Sequence, residues 1–135
     1  MANQLYDAGR EGCLIGQIDW STHTIRAVLI DITKYTVSIT GHSWLSDISA
    51  DARVATSAPF TSKTTAAGVA GAANATFTSV SGPICRALAI YRDTGTASTS
   101  RLIAYITSAV GLPVTPNGGD ITIQWDTGAR KIFVL

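Results

Sequence analysis

Residues 84–92 read ICRALAIYR, the strongest apolar run in the chain, and their alternation decides the fold. Ile84, Leu88 and Ile90 fall on one side with Arg86 and Arg92, opposite Cys85, Ala87, Ala89 and Tyr91. A period of two is that of a strand, whose successive side chains point to opposite faces. Upstream, residues 24–31 (TIRAVLID) are apolar on both faces, as in the central strand of a sandwich. Residues 36–40 (TVSIT) alternate, with Val37 and Ile39 facing one way, and residues 53–57 (RVATS) are short and β-compatible. Residues 76–80, 102–107 (LIAYIT), 120–125 (DITIQW) and 131–135 (KIFVL) complete eight expected strands. Turn signals stand at Asp93-Thr94-Gly95, Asn117-Gly118-Gly119 and Asp126-Thr127-Gly128. The pattern predicts an all-β protein, a single β-sandwich or jelly-roll-like domain.

Composition points the same way. The 135 residues suit one domain, and 18 Thr with 12 Ser favour strands and turns over long solvated helices. Only one of the nine acids is Glu, and charged residues make up 14% of the chain. A net charge of +1 lacks the basic excess of a nucleic-acid binder. No stretch approaches 18 apolar residues and the N-terminus has no signal pattern, so a soluble intracellular product is expected, with no membrane partner.

Residues 3–14 (NQLYDAGREGCL) are the best helix candidate, with Asn3 as cap and Asp7 in the first turn. Gly9 and Gly12 each cost a helix about 1 kcal/mol relative to Ala, so this one needs tertiary support. Residues 61–75 (TSKTTAAGVAGAANA) are low in complexity, with Val69 the only bulky anchor, and read as an exposed loop. The expected division is an N-terminal helix or arm over residues 1–20 and a β-sandwich over 21–135.

Asp-Thr-Gly occurs twice, at Asp93–Gly95 and Asp126–Gly128, which is the triplet of aspartic proteases, where paired carboxylates share a proton. The context argues against that chemistry: nine residues follow Asp126, and Asp93 leads into the polar run Thr96–Ser100. His23 and His42 would approach each other at the open end of a 24–31/36–40 hairpin, with Asp19 and Asp47 as conceivable metal ligands, yet no ligand spacing accompanies them. The sequence therefore predicts no catalytic residue, no metal site and no cofactor. Cys13 and Cys85 read first as two buried thiols and second as an inter-subunit disulfide formed in oxidising surroundings. Among the three tryptophans, Trp125 continues the Ile121/Ile123 face and is expected to close the core, whereas Trp44-Leu45 reads as an interfacial pair. Leu5, Tyr6, Trp20 and Val69 are further interface candidates, in the two segments proposed as arms.

Taken in order, ANQLYDAGREGCLIGQIDW, TIRAVLID, YTVSITGHSWLSDI, RVATSAPFTSKTTAAGVAGAANATFTSVSG, IYRDTGTASTSRLIAYI and GLPVTPNGGDITIQWDTGARKIFVL resemble small proteins of the head-assembly modules of tailed bacteriophages. The resemblance covers nearly the whole chain. It implies a virion structural protein, a capsid decoration (cement) protein on the capsid exterior, binding the major capsid protein and copies of itself as a dimer or trimer. It offers no catalytic residues to carry over. Two other readings stay open: a neck, head–tail connector or tail component, and a carbohydrate-binding β-sandwich with Trp44 and Tyr35 or Tyr91 as its aromatic platform.

Overall fold

The run 84–92 and the run 24–31 supply the two central strands. In the computed structural model, which describes residues 3–125 and 131–135, β7 (Ala87–Arg92) pairs antiparallel with β2 (Ile25–Ile30) along its whole length. Small residues sit across from branched ones: Ala89 faces Val28, Ala87 faces Ile30, and Ala27 faces Ile90. Pairing small with branched residues is the complementarity that lets neighbouring strands pack closely. The sheet continues through β8 (Leu102–Ile106) to β1 (Gln4–Leu5) on one side and to β3 (Arg53–Thr56) on the other, in the order β1-β8-β7-β2-β3.

Each face of this sheet carries its own core. One is aliphatic on the side of the central sheet, with Ile25, Leu29, Leu88, Ile90 and Ile106, and also holds the aromatic rings of Trp20, Phe60, Phe77 and Trp125. It is covered by two smaller antiparallel sheets. The first is β4 (Thr64–Ala66), β5 (Val69–Gly71) and β10 (Phe133–Val134); the second is β6 (Ala75–Phe77) and β9 (Ile121–Ile123). The other core holds Val28, Ile30, Ala87 and Ala89 together with all four tyrosines, Tyr6, Tyr35, Tyr91 and Tyr105. Among the described residues no strand covers this second face; it is closed by the irregular run 31–52 with 3₁₀ turns at Leu45–Asp47 and Ala50–Ala52. The all-β expectation holds, with ten strands and one α-helix among the described residues. No helix among them is long and apolar enough to cross a membrane.

Four expectations need correction. Residues 36–40 form no strand: they cross the face of the sheet, where Val37 and Ile39 pack on the tyrosine core, so their alternation reflects packing without a ladder. Ile84 does not share a face with Leu88. Cys85 leaves the line of β7 to exchange two backbone hydrogen bonds with Val114 (2.8 and 2.9 Å), so Cys85 enters the aliphatic core and Ile84 stays exposed. Residues 61–75 are not simply a loop: β4 and β5 form a hairpin whose two-residue turn, Ala67-Gly68, has φ of 51° and 75°. Positive φ at both positions matches the twist of a tight hairpin, and the glycine adopts it without strain. The exposed half of this segment ends at Val69, and Ala70, Gly71 and Ala75 are buried.

The fourth correction concerns the N-terminus, which is no arm. Helix α1 spans Asp7–Leu14, and Gln4–Leu5 ahead of it pair with β8. Asn3 does not cap the helix. Its side-chain oxygen accepts from the Thr107 and Ser108 amides (2.9 Å each) and its nitrogen donates to the Ser108 carbonyl (3.0 Å), extending the β1–β8 ladder by one rung. Leu5, Tyr6, Ala8, Ile18 and Trp20 are all buried. Gly9 allows this: a Cβ there would sit 2.5 Å from the Ile103 carbonyl oxygen, so only glycine lets α1 lie directly on β8.

Candidate interaction groove

The aromatic and apolar residues expected at an interface are mostly committed to the interior. Leu5, Tyr6, Trp20 and Leu45 are buried, Tyr6 completely. Trp20 packs edge-on against Phe60 and Phe133 (centroids 6.0 and 5.3 Å apart), and its indole N–H donates to the Gly71 carbonyl at 3.0 Å. Trp125 closes the same core as expected, donating to the Ala73 carbonyl at 3.1 Å. Together these two indoles fasten the low-complexity segment to the core, and each large ring finds the polar partner its N–H requires. Trp44 is half-buried beneath the Arg101 guanidinium, 4.9 Å from the ring centroid, and Val69 is half-buried in the hairpin. Tyr35 and Tyr91 are interior, so neither can join Trp44 in a sugar-stacking platform.

Sequence motifs that suggested chemistry are tied into local structure. The Asp93 carboxylate accepts from Arg26 Nε at 2.7 Å and from the Gly95 amide at 2.8 Å, shaping a turn that Thr94, Thr99 and Ser100 hydroxyls complete. The second triplet, Asp126–Gly128, lies outside the described residues. His23 and His42 do not converge, because the hairpin that would join them is absent. His23 Nδ1 accepts from the Asp19 amide at 2.9 Å, and His42 Nδ1 sits 2.8 Å from the Tyr35 hydroxyl. Asp19 and Asp47 use their carboxylates on backbone amides: Asp19 on Ser21 and Thr22, Asp47 on Ser43 and Trp44. The bond from the Ser21 hydroxyl, with help from Thr22, holds the Asp19 carboxyl down to about 2. Among the described residues no cluster of three or more His, Cys, Asp or Glu could hold a metal ion.

The two cysteines are free, Cys13 half-buried and Cys85 fully buried. The Cys85 thiol donates to the Pro83 carbonyl at 3.5 Å, and burial pushes its pKa up to about 11. With Cys85 buried in this fold, an inter-subunit Cys13–Cys85 bridge would require the Cys85 sulfur to become exposed.

One surface feature stands out that the sequence did not single out. A groove of about 860 Å³ opens between the end of β1–β8 and the C-terminal strand β10. Both strands that flank it are sheet edges. Tyr6 N–H bonds the Ile103 carbonyl, so by antiparallel alternation the Leu5 amide turns away from β8. Leu135 N–H likewise bonds the Gly68 carbonyl, which turns the Val134 amide away from β5. The buried lining is apolar (Leu5, Ala104, Ile106 and Ile132), and Val110 and Val134 on its walls are 65% and 41% exposed. Arg10 and Lys131 supply its charges, and no Asp or Glu among the described residues lines it. Arg10 meets Asp7 at 3.2 Å in a surface pair, while Lys131 has no ionic partner among the described residues. Exposed valines beside a sheet edge are features of a surface that binds polypeptide. The chain matches no family model and no curated protein.

Proposed function

We propose that this chain is a structural protein of a tailed-phage virion, a decoration protein that sits on the outer face of the assembled capsid and clamps neighbouring copies of the major capsid protein. The reading rests on the resemblance drawn from the sequence segments, in their order, to small proteins of phage head modules. Composition supports it. Lys and Glu, two of the residue types depleted from protein interfaces, number four in 135. The groove supports a docking role, since it combines exposed apolar side chains with two open strand edges. Many copies on a closed shell would also make weak single contacts effective through avidity. Self-association as a dimer or trimer belongs to the same reading.

Counting copies per particle tests it, by quantitative mass spectrometry of gradient-purified virions against the major capsid protein. A decoration protein should be present at on the order of hundreds of copies, as multivalent coverage of the shell requires. A count on the order of six or twelve, the size of a symmetric ring, would move the chain to the neck or tail. Absence from the particle would overturn the structural reading.

A further inference from the structure

The geometry points to the groove as a strand-addition site, which takes an extended, carboxylate-bearing segment of a partner chain and pairs it with the open edge of β1 or β10. The inference rests on the reading above that this face meets another protein, and it adds the mode and the chemistry of the contact.

Three independent features converge. The edges come first: Leu5 and Val134, both lining the groove, turn their amides away from their own sheets; on β10 the Val134 carbonyl turns away too, whereas the Leu5 carbonyl accepts from Arg10 at 3.4 Å and the Asp7 amide beyond it is bonded to Ile39. An extended segment satisfies such groups at once, because its own backbone donors and acceptors recur at the spacing of a ladder. Next, the lining mixes polar residues (Asn3, Gln4, Thr107, Ser108 and Gln124) with buried Leu5, Ala104, Ile106 and Ile132, and the walls carry exposed Val110 and Val134, against which apolar side chains of an added strand would leave water. The third feature is charge. Lys131 and Arg10 line the groove with no acid among its described lining residues; Arg10 is paired with Asp7, and the Lys131 ammonium has no ionic partner among the described residues. A neutral or basic segment would leave that cation uncompensated, whereas an acidic one completes it. Proteins normally blunt exposed edges with charge or proline, and β1 and β10 have neither at Leu5 and Val134.

The test uses the full-length ¹⁵N-labelled chain and three capped peptides: Thr-Val-Asp-Val-Glu-Val-Thr, the same sequence with Lys in place of both acids, and the acidic sequence with Pro in place of the central Val. The acidic peptide should shift the Leu5 or Val134 amide resonance and slow its hydrogen exchange. The Lys peptide should bind about tenfold more weakly or worse, as expected for reversed charge at a cationic rim. The Pro peptide, which cannot sustain a ladder, should fail to protect either amide. Lys131→Glu should weaken the acidic peptide about tenfold and leave thermal unfolding unchanged, and should improve the Lys peptide. No shift at millimolar acidic peptide, shifts that map outside the groove, equal protection by the Pro peptide, or indifference to charge at Lys131 would each overturn the inference. Such a failure leaves the virion count untouched, so the two readings stand or fall separately.

Discussion

Replacing Gly9 by Ala should destabilise this protein, although the same change stabilises almost any isolated helix. Helix propensity favours Ala over Gly by about 1 kcal/mol. Against that, the new Cβ would lie 2.5 Å from the Ile103 carbonyl oxygen and 2.8 Å from its Cα, both backbone atoms of a central-sheet strand. Contact between such atoms is comfortable only near 3.5–4 Å, so α1 must retreat from β8 by roughly 1 Å. Retreat stretches the Tyr6 amide to Ile103 carbonyl bond (2.9 Å) and the Arg101 to Ala8 carbonyl bond (3.0 Å), each worth about 1 kcal/mol. It also loosens the packing of Leu5, Tyr6 and Ala8, and overpacking of this kind costs about 1–3 kcal/mol. The balance is a net loss of about 2 kcal/mol, or about 6 °C in Tm for a chain of this length. Gly12→Ala is the internal control. Its Cβ meets side-chain atoms, Arg101 Cδ and Ile18 Cδ1 at 2.6 Å each, which can swing aside, so its effect should stay within about 1 kcal/mol of wild type. Urea unfolding followed by tryptophan fluorescence measures both. A Gly9→Ala protein as stable as wild type, or more so, would refute the close helix–sheet contact.

Other consequences follow from the same contacts. Deleting residues 2–14 should leave a chain without cooperative unfolding, because it strips β8 of its edge partner and both cores of buried side chains; a well-dispersed NMR spectrum of the truncated protein would count against this. Tyr6→Phe should cost about 1 kcal/mol in urea unfolding, the worth of one neutral hydrogen bond, since the Tyr6 hydroxyl is buried and bonded to the Tyr35 hydroxyl at 2.9 Å. Asp19 holds its proton less tightly when folded (about 2) than the roughly 3.9 of an unfolded Asp, so its stabilising effect is complete above about pH 4 and is lost as pH falls through about 2. Asp19→Asn should accordingly be less stable than wild type at neutral pH, with the difference shrinking between pH 4 and 2; a difference constant with pH would refute the assignment.

The strands legible in the sequence are those whose pattern is set by two buried faces. Residues 24–31 and 84–92 had to lie at the centre because apolar side chains point both ways, and β2 and β7 do. Strands β4 and β5 were hidden because their residues are small: Thr64–Ala66 is exposed, and β5 gains its place from the Trp20 indole bond to Gly71, an anchor 51 residues distant. β1 was hidden for another reason. Gln4–Leu5 is too short to show a period, and the Asn3 side chain that prolongs its ladder looks like a helix cap in sequence. The groove was illegible on principle, since it is made by edges left over when the sheets assemble, and edges are a property of topology.

The two faces of the central sheet explain why the sequence reads well on one side and poorly on the other. Over the aliphatic core the covering layer is itself β-sheet, so its backbone groups are met by ladders and its pattern stays regular. Over the tyrosine core the run 31–52 has no ladder, yet its polar groups still need partners once they approach a buried surface. Side chains meet that need. Asp47 takes the Ser43 and Trp44 amides, Asp31 takes Thr33, and the Tyr6–Tyr35–His42 chain carries hydrogen bonding from a fully buried hydroxyl out to a half-exposed imidazole. All four tyrosines gather there because a phenol fills apolar space and still offers a polar handle, which neither Leu nor Phe can do. A cover specified by individual hydrogen bonds leaves no periodic trace, so residues 36–40 mimic a strand while serving as a lid. The same logic locates the open side of the molecule. The tyrosine face is sealed by its own chain and the aliphatic face by two small sheets, which leaves the seam where β1 and β10 end as the place where two sheet edges lie beside exposed valines.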